Sequence, residues 1–303
     1  MLPVKTTKLS KVYKAKKGRH IEALIGLDLE ISSGEVIGFL GPNGAGKSTT
    51  IKTLLGQIRP TSGSAELFGV PVDDSASRQK VGYLPENPSF YDSLTAREYL
   101  GMVGGVFGLT AAEVKTGSER VLELLDLSEA ARRPIRSYSK GMVQRLGIAQ
   151  TMLHDPDLYI LDEPMSGLDP LGRALVKNLM LELKERGKTV FFSTHVTADV
   201  EAVCDRVGII VAGRLQTIKP VHEVLEGGIE GYEVHVGGAD LFSGSGYELV
   251  ESRQDIQVYY VPRRGISGFM LKIDECGGEV HLMEPRRKNL EAFFLDIVKS
   301  GRS

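Results

Sequence analysis

The sequence has no tryptophan, only two cysteines and no long apolar segment. Cys204 and Cys276 lack the paired spacing of a zinc site and do not suggest a disulfide framework, which fits a protein of the reducing cytoplasm. No apolar run approaches the roughly 18 residues of a membrane-spanning helix, and Met1–Lys5 lacks the apolar core of a signal peptide. We therefore expect any membrane role to depend on a separate partner.

An excess of charge of either sign is absent as well. The chain carries 37 Lys and Arg against 39 Asp and Glu, a formal net charge of −2. Because proteins that mainly bind nucleic acid usually carry a strong positive charge, no nucleic-acid partner is expected. With 303 residues, 42% of them hydrophobic, the chain can form one large domain or two smaller ones, each with its own core.

What the sequence does contain is a glycine-rich loop between an apolar strand and a helix. Val36–Leu40 has the composition of a buried strand, and four apolar residues follow the loop at helical spacing: Ile51, Leu54, Leu55 and Ile58. The loop itself consists of Gly41, Pro42, Asn43, Gly44, Ala45, Gly46, Lys47, Ser48 and Thr49. This order indicates a phosphate-binding P-loop, because backbone N–H groups and a helix N-terminus converge on one point. Lys47 is predicted to reach the β- and γ-phosphates, and the Ser48 hydroxyl to ligate Mg²⁺.

Two carboxylates close a second apolar strand. The run Leu158–Leu161 ends at Asp162 and Glu163, and Pro164 follows. Ligands of an open α/β sheet lie beyond the carboxyl ends of its strands, so Asp162 is predicted to hold Mg²⁺, directly or through water. Glu163 is placed to accept a proton from a water that attacks the γ-phosphate. The structural alternative is an acidic strand end that is capped by Pro164. It does not explain why two carboxylates follow so apolar a strand.

Two further side chains could contact the nucleotide. His195 follows Thr189–Ser193, another apolar strand that is predicted to end at the same sheet edge, where an imidazole could hydrogen-bond the γ-phosphate. Tyr13 ends an early strand and could stack on adenine, as aromatic side chains stack on bases. A structural histidine and a half-buried strand tyrosine are the alternatives, and the residues alone leave both open.

In this order, the motifs resemble those of the nucleotide-binding subunits of ABC transporters over about residues 3–226. The P-loop matches Walker A, Leu158–Glu163 matches Walker B, and Tyr138–Arg145 resembles the signature loop. The resemblance also implies that six further residues contact nucleotide. They are Tyr13 (A-loop), Glu86 (Q-loop), Ser139 and Gly141 (signature), Asp169 (D-loop) and His195 (H-loop). Glu86, which is also a candidate Mg²⁺ ligand, stands where most members have Gln. Lys140 and Met142 replace the Gly and Gln of the commonest signature.

This resemblance implies an α/β fold: a P-loop NTPase (ABC ATPase) core with an antiparallel β subdomain and a helical subdomain at about residues 87–150. The ATP-binding domain would span residues 1–226, and residues 227–303 would form a small C-terminal α+β domain. ATP and Mg²⁺ would join two ATP-binding domains, from a second copy or a similar subunit. The signature loop of one domain would then contact the γ-phosphate held by the other.

The predicted function is that of an ATPase subunit at the cytoplasmic face of the cell membrane, which powers a separate integral membrane permease. Resemblance to the ABC-2-type drug and polysaccharide exporters favours export. The alternative is a soluble ABC ATPase that acts on ribosomes or DNA. Such proteins usually carry two nucleotide domains or long coiled-coil insertions, and this sequence shows neither. A GTPase-like switch is disfavoured because the sequence has no Asn-Lys-x-Asp motif.

Overall fold

The computed structural model describes residues 1–14, 19–225, 229–238, 246–253, 256–287 and 289–300. These residues fall into two compact units, one comprising Met1–Val221 with a terminal segment from Ile297, the other His222–Asp296. The domain boundary predicted after residue 226 lies outside the described residues.

Strands and helices of the first unit follow one another along the chain. They are β1 (Val4–Lys14), β2 (His20–Ile31), β3 (Val36–Leu40), α1 (Lys47–Leu54), β4 (Ser62–Leu67), β5 (Val70–Pro71), β6 (Val81–Leu84), α2 (Ala96–Val106), α3 (Ala111–Leu124), α4 (Lys140–Met152), β7 (Leu158–Asp162), α5 (Pro170–Glu185), β8 (Thr189–Thr194), α6 (Thr197–Val203), β9 (Arg206–Val211) and β10 (Arg214–Pro220). The remaining elements are α7 (Val221–Leu225), β11 (Ile229–Gly237), β12 (Glu248–Arg253), β13 (Ile256–Pro262), α8 (Ile266–Glu275), β14 (Glu279–Arg287) and α9 (Leu290–Ser300).

A six-stranded sheet of order β10-β9-β3-β8-β7-β6 forms the centre of the first unit. All neighbours run parallel except the β10–β9 pair. Side chains of a strand alternate between the two faces of a sheet, and here both faces are covered. In β8, Phe191 belongs to one apolar cluster and Phe192 to the other, and burial of each phenylalanine contributes about 1.5–3 kcal/mol. The carboxyl ends of β3, β7 and β8 therefore meet at one edge of a rigid sheet.

The predicted antiparallel β subdomain is confirmed as a second sheet of order β2-β1-β4-β5. Its apolar face shares a cluster with the helix that follows the P-loop, in which Leu27 and Leu29 pack with Ile51 and Leu54. Helix α1 ends at Leu54 and Gly56 follows with φ +66°, a left-handed position that typically stops a helix. Ile58, which the spacing assigned to the helix, lies beyond it.

The predicted helical subdomain is also present. Helices α2 and α3 each begin with a capping box, in which Glu98 and Glu113 accept hydrogen bonds from the backbone N–H groups of Thr95 and Thr110. These hydrogen bonds lower the pKa of both carboxyl groups. The helices and α4 share the cluster that covers the Phe192 face of the central sheet, and α4 lies against β6, the neighbour of the strand that carries Asp162.

The second unit is a small α+β structure, as predicted for the C-terminal region. Its four strands pair antiparallel in the order β12-β13-β11-β14. Phe269 and Ile273 of α8 bury their side chains with Val234, Tyr259 and Val261 of the sheet. Strand β12 was not predicted, because its two apolar residues, Leu249 and Val250, are adjacent and give no alternating pattern, and all its residues are exposed.

Candidate functional site

The P-loop residues line a cavity of about 400 Å³ at the carboxyl end of β3. Two positions in the loop admit only glycine, since a Cβ atom on Gly41 would lie 2.5 Å from the Ile210 carbonyl oxygen and one on Gly46 2.6 Å from that of Ala23. Gly46 also has φ +113°, which is unfavourable for any side chain. The loop backbone can therefore lie close to its neighbours. The N–H groups of Gly41 and Ala45 donate to the carbonyl oxygens of Thr194 and Pro42.

Lys47 occupies the floor of this cavity and is 7% exposed. Its Nζ donates to the Gly41 carbonyl oxygen at 2.7 Å and lies 3.6 Å from Oε1 of Glu163. On its other side, the Glu163 carboxylate is 3.0 Å and 3.1 Å from Nδ1 of His195. Walker A, Walker B and the H-loop position thus meet in one contact chain, with the carboxylate between two nitrogen groups.

Glu163 adopts a backbone conformation that is unusual for its residue type. Its φ is +49°, in the left-handed region that costs a non-glycine residue about 1–2 kcal/mol. The Glu163 N–H donates to Oγ of Ser193 at 3.0 Å, and its carbonyl accepts from the Ser166 N–H at 3.0 Å and from Nε2 of Gln144 at 3.3 Å. Neighbouring groups therefore fix the peptide on both sides of the carboxylate.

Asp162 and Ser48 supply a possible metal site next to the P-loop. Asp162 is 2% exposed, its Oδ1 accepts from Ser193 at 2.5 Å, and the Ser48 hydroxyl lies 3.4 Å away. Within the described residues, no group of three or more His, Cys, Asp or Glu side chains could hold a metal by itself. A hydroxyl and one carboxylate fit Mg²⁺, which prefers oxygen ligands and keeps several waters or phosphate oxygens.

The negative charge of Asp162 affects the nearby phenol of Tyr83. Burial raises the pKa of Tyr83 to about 12, and the negative charge of Asp162 adds to the shift. The phenol therefore stays neutral beside the carboxylate at physiological pH. Glu86, the Q-loop candidate, lines the P-loop cavity with its exposed side chain.

The signature residues Ser139 and Gly141, and Asp169 of the D-loop, are not among the described residues that line the P-loop cavity. Ser139 is the N-cap of α4 and accepts from the Met142 N–H at 3.3 Å, while Asp169 caps α5 through the Gly172 N–H at 2.9 Å. The structure therefore separates the sequence-predicted site into two groups on one chain.

Tyr13 also lies outside the group of residues that line the P-loop cavity within the described chain. The ammonium group of Lys11 lies 5.2 Å from the centre of its ring. Ile21, its neighbour across the β1–β2 pair, does line the cavity and is 56% exposed. An apolar side chain beside the P-loop was not predicted, because the β-branched pattern of β2 is equally typical of a structural strand.

Two polar residues at the site were missed from sequence. Ser193 bridges Asp162 and the Glu163 N–H, and Gln144 contacts the Glu163 carbonyl. A polar residue at the end of the apolar strand β8 was a usable signal for Ser193. Gln144 gives no such signal, because a glutamine on a helix is usually exposed. In this structure its side chain is buried, with 4% exposed.

Comparisons with known proteins identify the family of this chain. The family model described as ABC transporter matches residues 24–166. An ABC transporter ATP-binding protein of Synechocystis is 40% identical over 96% of this chain and 83% of the relative. The bacitracin transport ATP-binding protein BcrA of Bacillus licheniformis is 35% identical over 98% of both chains. A solved ATP-binding subunit of an ABC transporter superposes with a TM-score of 0.67 at 32% identity, covering 74% of this chain and 92% of that chain. The chain belongs to the ATP-binding subunits of ABC transporters, and it binds and hydrolyses ATP to power transport.

Proposed function

We propose that Glu163 is the general base of ATP hydrolysis and that Lys47 and His195 position it. The observation that carries this proposal is the contact chain in which the Glu163 carboxylate lies 3.6 Å from Lys47 and 3.0 Å from His195 at the edge of the P-loop cavity. A carboxylate in this place can accept the proton of a water that is aligned with the γ-phosphate.

Nucleotide binding would change the partners of these groups. The P-loop N–H groups and Lys47 would hold the β- and γ-phosphates, which draws the ammonium group from Glu163 to the phosphate. The carboxylate is then free to accept a proton, and His195 keeps it oriented through Nδ1. Ser48 and Asp162, with Glu86 as a further candidate, would hold Mg²⁺, which supplies charge neutralisation at the phosphates.

Substitution Glu163→Gln tests this assignment. The amide keeps the shape but cannot accept the proton, so we expect kcat to fall by about 100- to 10,000-fold while ATP still binds. Turnover and ATP affinity, the latter by equilibrium dialysis, are the measurements. Glu66→Gln, at a half-buried position of β4 that is not among the described residues lining the P-loop cavity, is the control for a lost carboxylate. Hydrolysis by Glu163→Gln at the parental rate would remove Glu163 from the mechanism.

A second ATP-binding domain would complete each site. Support comes from the separation of Ser139, Gly141 and Asp169 from the P-loop cavity of their own chain, and from the single copy of each motif. Ser139 and the Gly141 N–H at the start of α4 would contact the γ-phosphate of the opposite chain. The ATPase rate per chain should therefore rise with protein concentration. Turnover that is independent of concentration, in a sample that is monomeric by light scattering, would contradict the dimer.

The site of the permease contact is proposed from an apolar groove between α2 and the central sheet. The groove has a volume of about 510 Å³, and its α2 side carries the exposed apolar residues Met102, Val106 and Phe107. Exposed apolar side chains that line one groove are typical of a binding surface. None of the helices described here is both long and apolar enough to cross a bilayer. A cytoplasmic helix of the permease would fill this groove and hold the subunit at the inner face of the membrane.

Export is the proposed direction of transport. It is supported by the printed names of relatives: BcrA is a bacitracin transport protein, and a Cupriavidus metallidurans protein, 34% identical over 92% of this chain, serves Nod factor export. The alternative, a soluble ATPase on ribosomes or DNA, has the net charge of −2 against it. Affinity purification from detergent-solubilised membranes should recover a multi-helix membrane protein, and Val106→Glu should reduce that recovery. Recovery of ribosomes or DNA instead would favour the alternative.

A further inference from the structure

One buried side chain joins the signature helix to the general base inside this chain. Gln144 lies in the second turn of α4 and is 4% exposed. Its Nε2 donates to the carbonyl oxygen of Glu163 at 3.3 Å and to that of Pro164 at 3.2 Å. Since both partners only accept hydrogen bonds, the amide must present its nitrogen to them, and both N–H groups of Gln144 are used.

The peptide that Gln144 holds is the strained one. Glu163 has φ +49°, and its carbonyl also accepts from the Ser166 N–H at 3.0 Å, which closes a turn into the D-loop. A non-glycine residue keeps such a conformation only where its surroundings determine it. Ser193 fixes the N–H of Glu163 and Gln144 fixes its carbonyl. A shift of Gln144 therefore rotates the peptide that aims the carboxylate.

The same helix begins at the proposed phosphate contact. Ser139 caps α4 and Gly141 lies in its first turn, so little more than one helical turn separates the phosphate contact from Gln144. Backbone hydrogen bonds within an α-helix make it rigid, and it rises only 1.5 Å per residue. Gly141 and Gln144 lie on this one helix, so no flexible segment separates them. The start of α4 also rests on the D-loop, because a Cβ atom on Gly167 would lie 2.7 Å from Cε of Lys140.

We infer that Gln144 is a positioning residue, which transmits the arrival of a γ-phosphate at Ser139 and Gly141 to the Glu163 carboxylate of the same chain. The inference rests on the proposed function, in which that phosphate belongs to the nucleotide of the opposite P-loop. ATP in one site thereby sets the general base of the other site. Gln144 acts through the Glu163 backbone and does not touch the nucleotide itself.

Replacement Gln144→Met tests the inference with a side chain of similar length that cannot donate. We expect kcat to fall by about 10- to 100-fold, because a displaced base loses its alignment with the water. The ATP concentration at half-maximal binding should stay within about twofold of the parental value, since P-loop contacts are unchanged. The Hill coefficient for ATP hydrolysis should fall to about 1, because the link between the two sites is lost.

A matched control comes from the next residue on the helix. Arg145 donates to the carbonyl oxygens of Leu125 and Asp126 and forms an ion pair with the Asp126 carboxylate at 3.0 Å. Arg145→Met thus removes hydrogen bonds of α4 that do not reach Glu163, and we expect a lower Tm with the parental Hill coefficient. Gln144→Asn provides a second variant, because its amide is one carbon too short to reach both carbonyls, and it should repeat the kinetic result of Gln144→Met.

Two results would overturn the inference. One is a parental kcat and Hill coefficient in Gln144→Met, and the other is a loss that matches Arg145→Met in both Tm and kinetics. Failure of the proposed function looks different, because Glu163→Gln would then keep hydrolysing ATP. If Glu163→Gln stalls while Gln144→Met turns over normally and cooperatively, Glu163 remains the base and only the role of Gln144 is wrong.

Discussion

The Walker side and the signature side of this chain differ in how many of their polar groups are bonded within the chain. On the Walker side, Lys47 and Asp162 are buried and each contacts at least two partners. On the signature side, Ser139 and Lys140 are exposed at the start of α4. The first group is assembled before a ligand arrives, whereas the second presents a helix N-terminus to solvent.

This difference indicates an order of events. A preorganised site loses little side-chain entropy when it binds, so the Walker side can bind nucleotide in a single chain. The signature side is exposed at Ser139 and Lys140, and in the proposed mechanism it gains its partners when a second nucleotide domain approaches. Substitutions on the Walker side should lower ATP affinity or stability together with turnover. Substitutions on the signature side should lower turnover alone.

Lys47→Ala should give the largest effect. Loss of a buried charge-assisted contact to phosphate weakens binding by about 1.5–3 kcal/mol, and loss of transition-state neutralisation lowers kcat by about 100- to 1,000-fold. ATP affinity and turnover should therefore fall together. Lys52→Ala, an exposed lysine on the same helix, is the control and should leave both unchanged. Normal ATP affinity in Lys47→Ala would mean that the P-loop does not hold the nucleotide as proposed.

Ser139→Arg should lower turnover by about 100-fold, since the arginine blocks the phosphate contact at the start of α4. ATP affinity of the single chain should not change, because the P-loop is intact. Isothermal titration and a steady-state ATPase assay measure the two quantities. Ser128→Arg, at another exposed serine, controls for the added charge. Reduced ATP affinity in Ser139→Arg monomers would erase the distinction between the two sides.

Ser193→Ala tests the hydrogen bonds that connect Asp162 and Glu163 on the Walker side. It removes the hydroxyl that bridges Asp162 and the Glu163 N–H, at a cost of about 1.5–3 kcal/mol of stability. A drop in Tm should accompany a fall in kcat of about 10-fold. Thr151→Ala also deletes a buried hydroxyl, which bonds to the Ile148 carbonyl, and it should lower Tm with less effect on kcat. Equal kinetic losses in the two variants would show that any buried hydroxyl suffices.

Glu113→Gln should give the smallest effect, since this capping-box residue belongs to neither side. Hydrogen bonds from the Thr110 backbone lower the pKa of Glu113 below its ordinary value of 4.5. A lowered folded-state pKa means that the carboxylate stabilises the fold above that value and loses its contribution as pH falls through the folded pKa. At about pH 7 the capping carboxylate is charged, so the variant should have a slightly lower Tm than the parent. In acid the two proteins should have the same Tm. Glu123→Gln, on the same helix away from the cap, is the matched control for the lost charge.

Sequence predicted those parts of the site whose chemistry lies in contiguous residues. The P-loop, Asp162 and Glu163 could be proposed because strand, loop and carboxylates follow one another along the chain. Ser193 and Gln144 act across space on the Glu163 peptide, and no spacing along the chain encodes that meeting. The same limit explains Ile21, which reaches the P-loop cavity only through the β1–β2 register.

The fold shows a parallel contrast. Strands β3, β7 and β8 were predicted with their limits nearly correct, because both faces are buried and each strand is apolar throughout. Strands β10 and β12 were missed, since β10 is an edge strand with mixed burial and β12 is fully exposed. The end of α1 was placed too far along the chain because Gly56 stops the helix before Ile58.

The left-handed backbone of Glu163 has a consequence for how this protein could be altered. Gly or Asn fits that backbone with less strain than Glu, yet neither is long enough to contact Lys47 and His195 at once. A selection for thermal stability alone should therefore tend to replace Glu163 and silence the enzyme. Stabilised versions of this subunit should be sought with Glu163, Ser193 and Gln144 held constant, because a residue with a strained backbone is also the proposed general base.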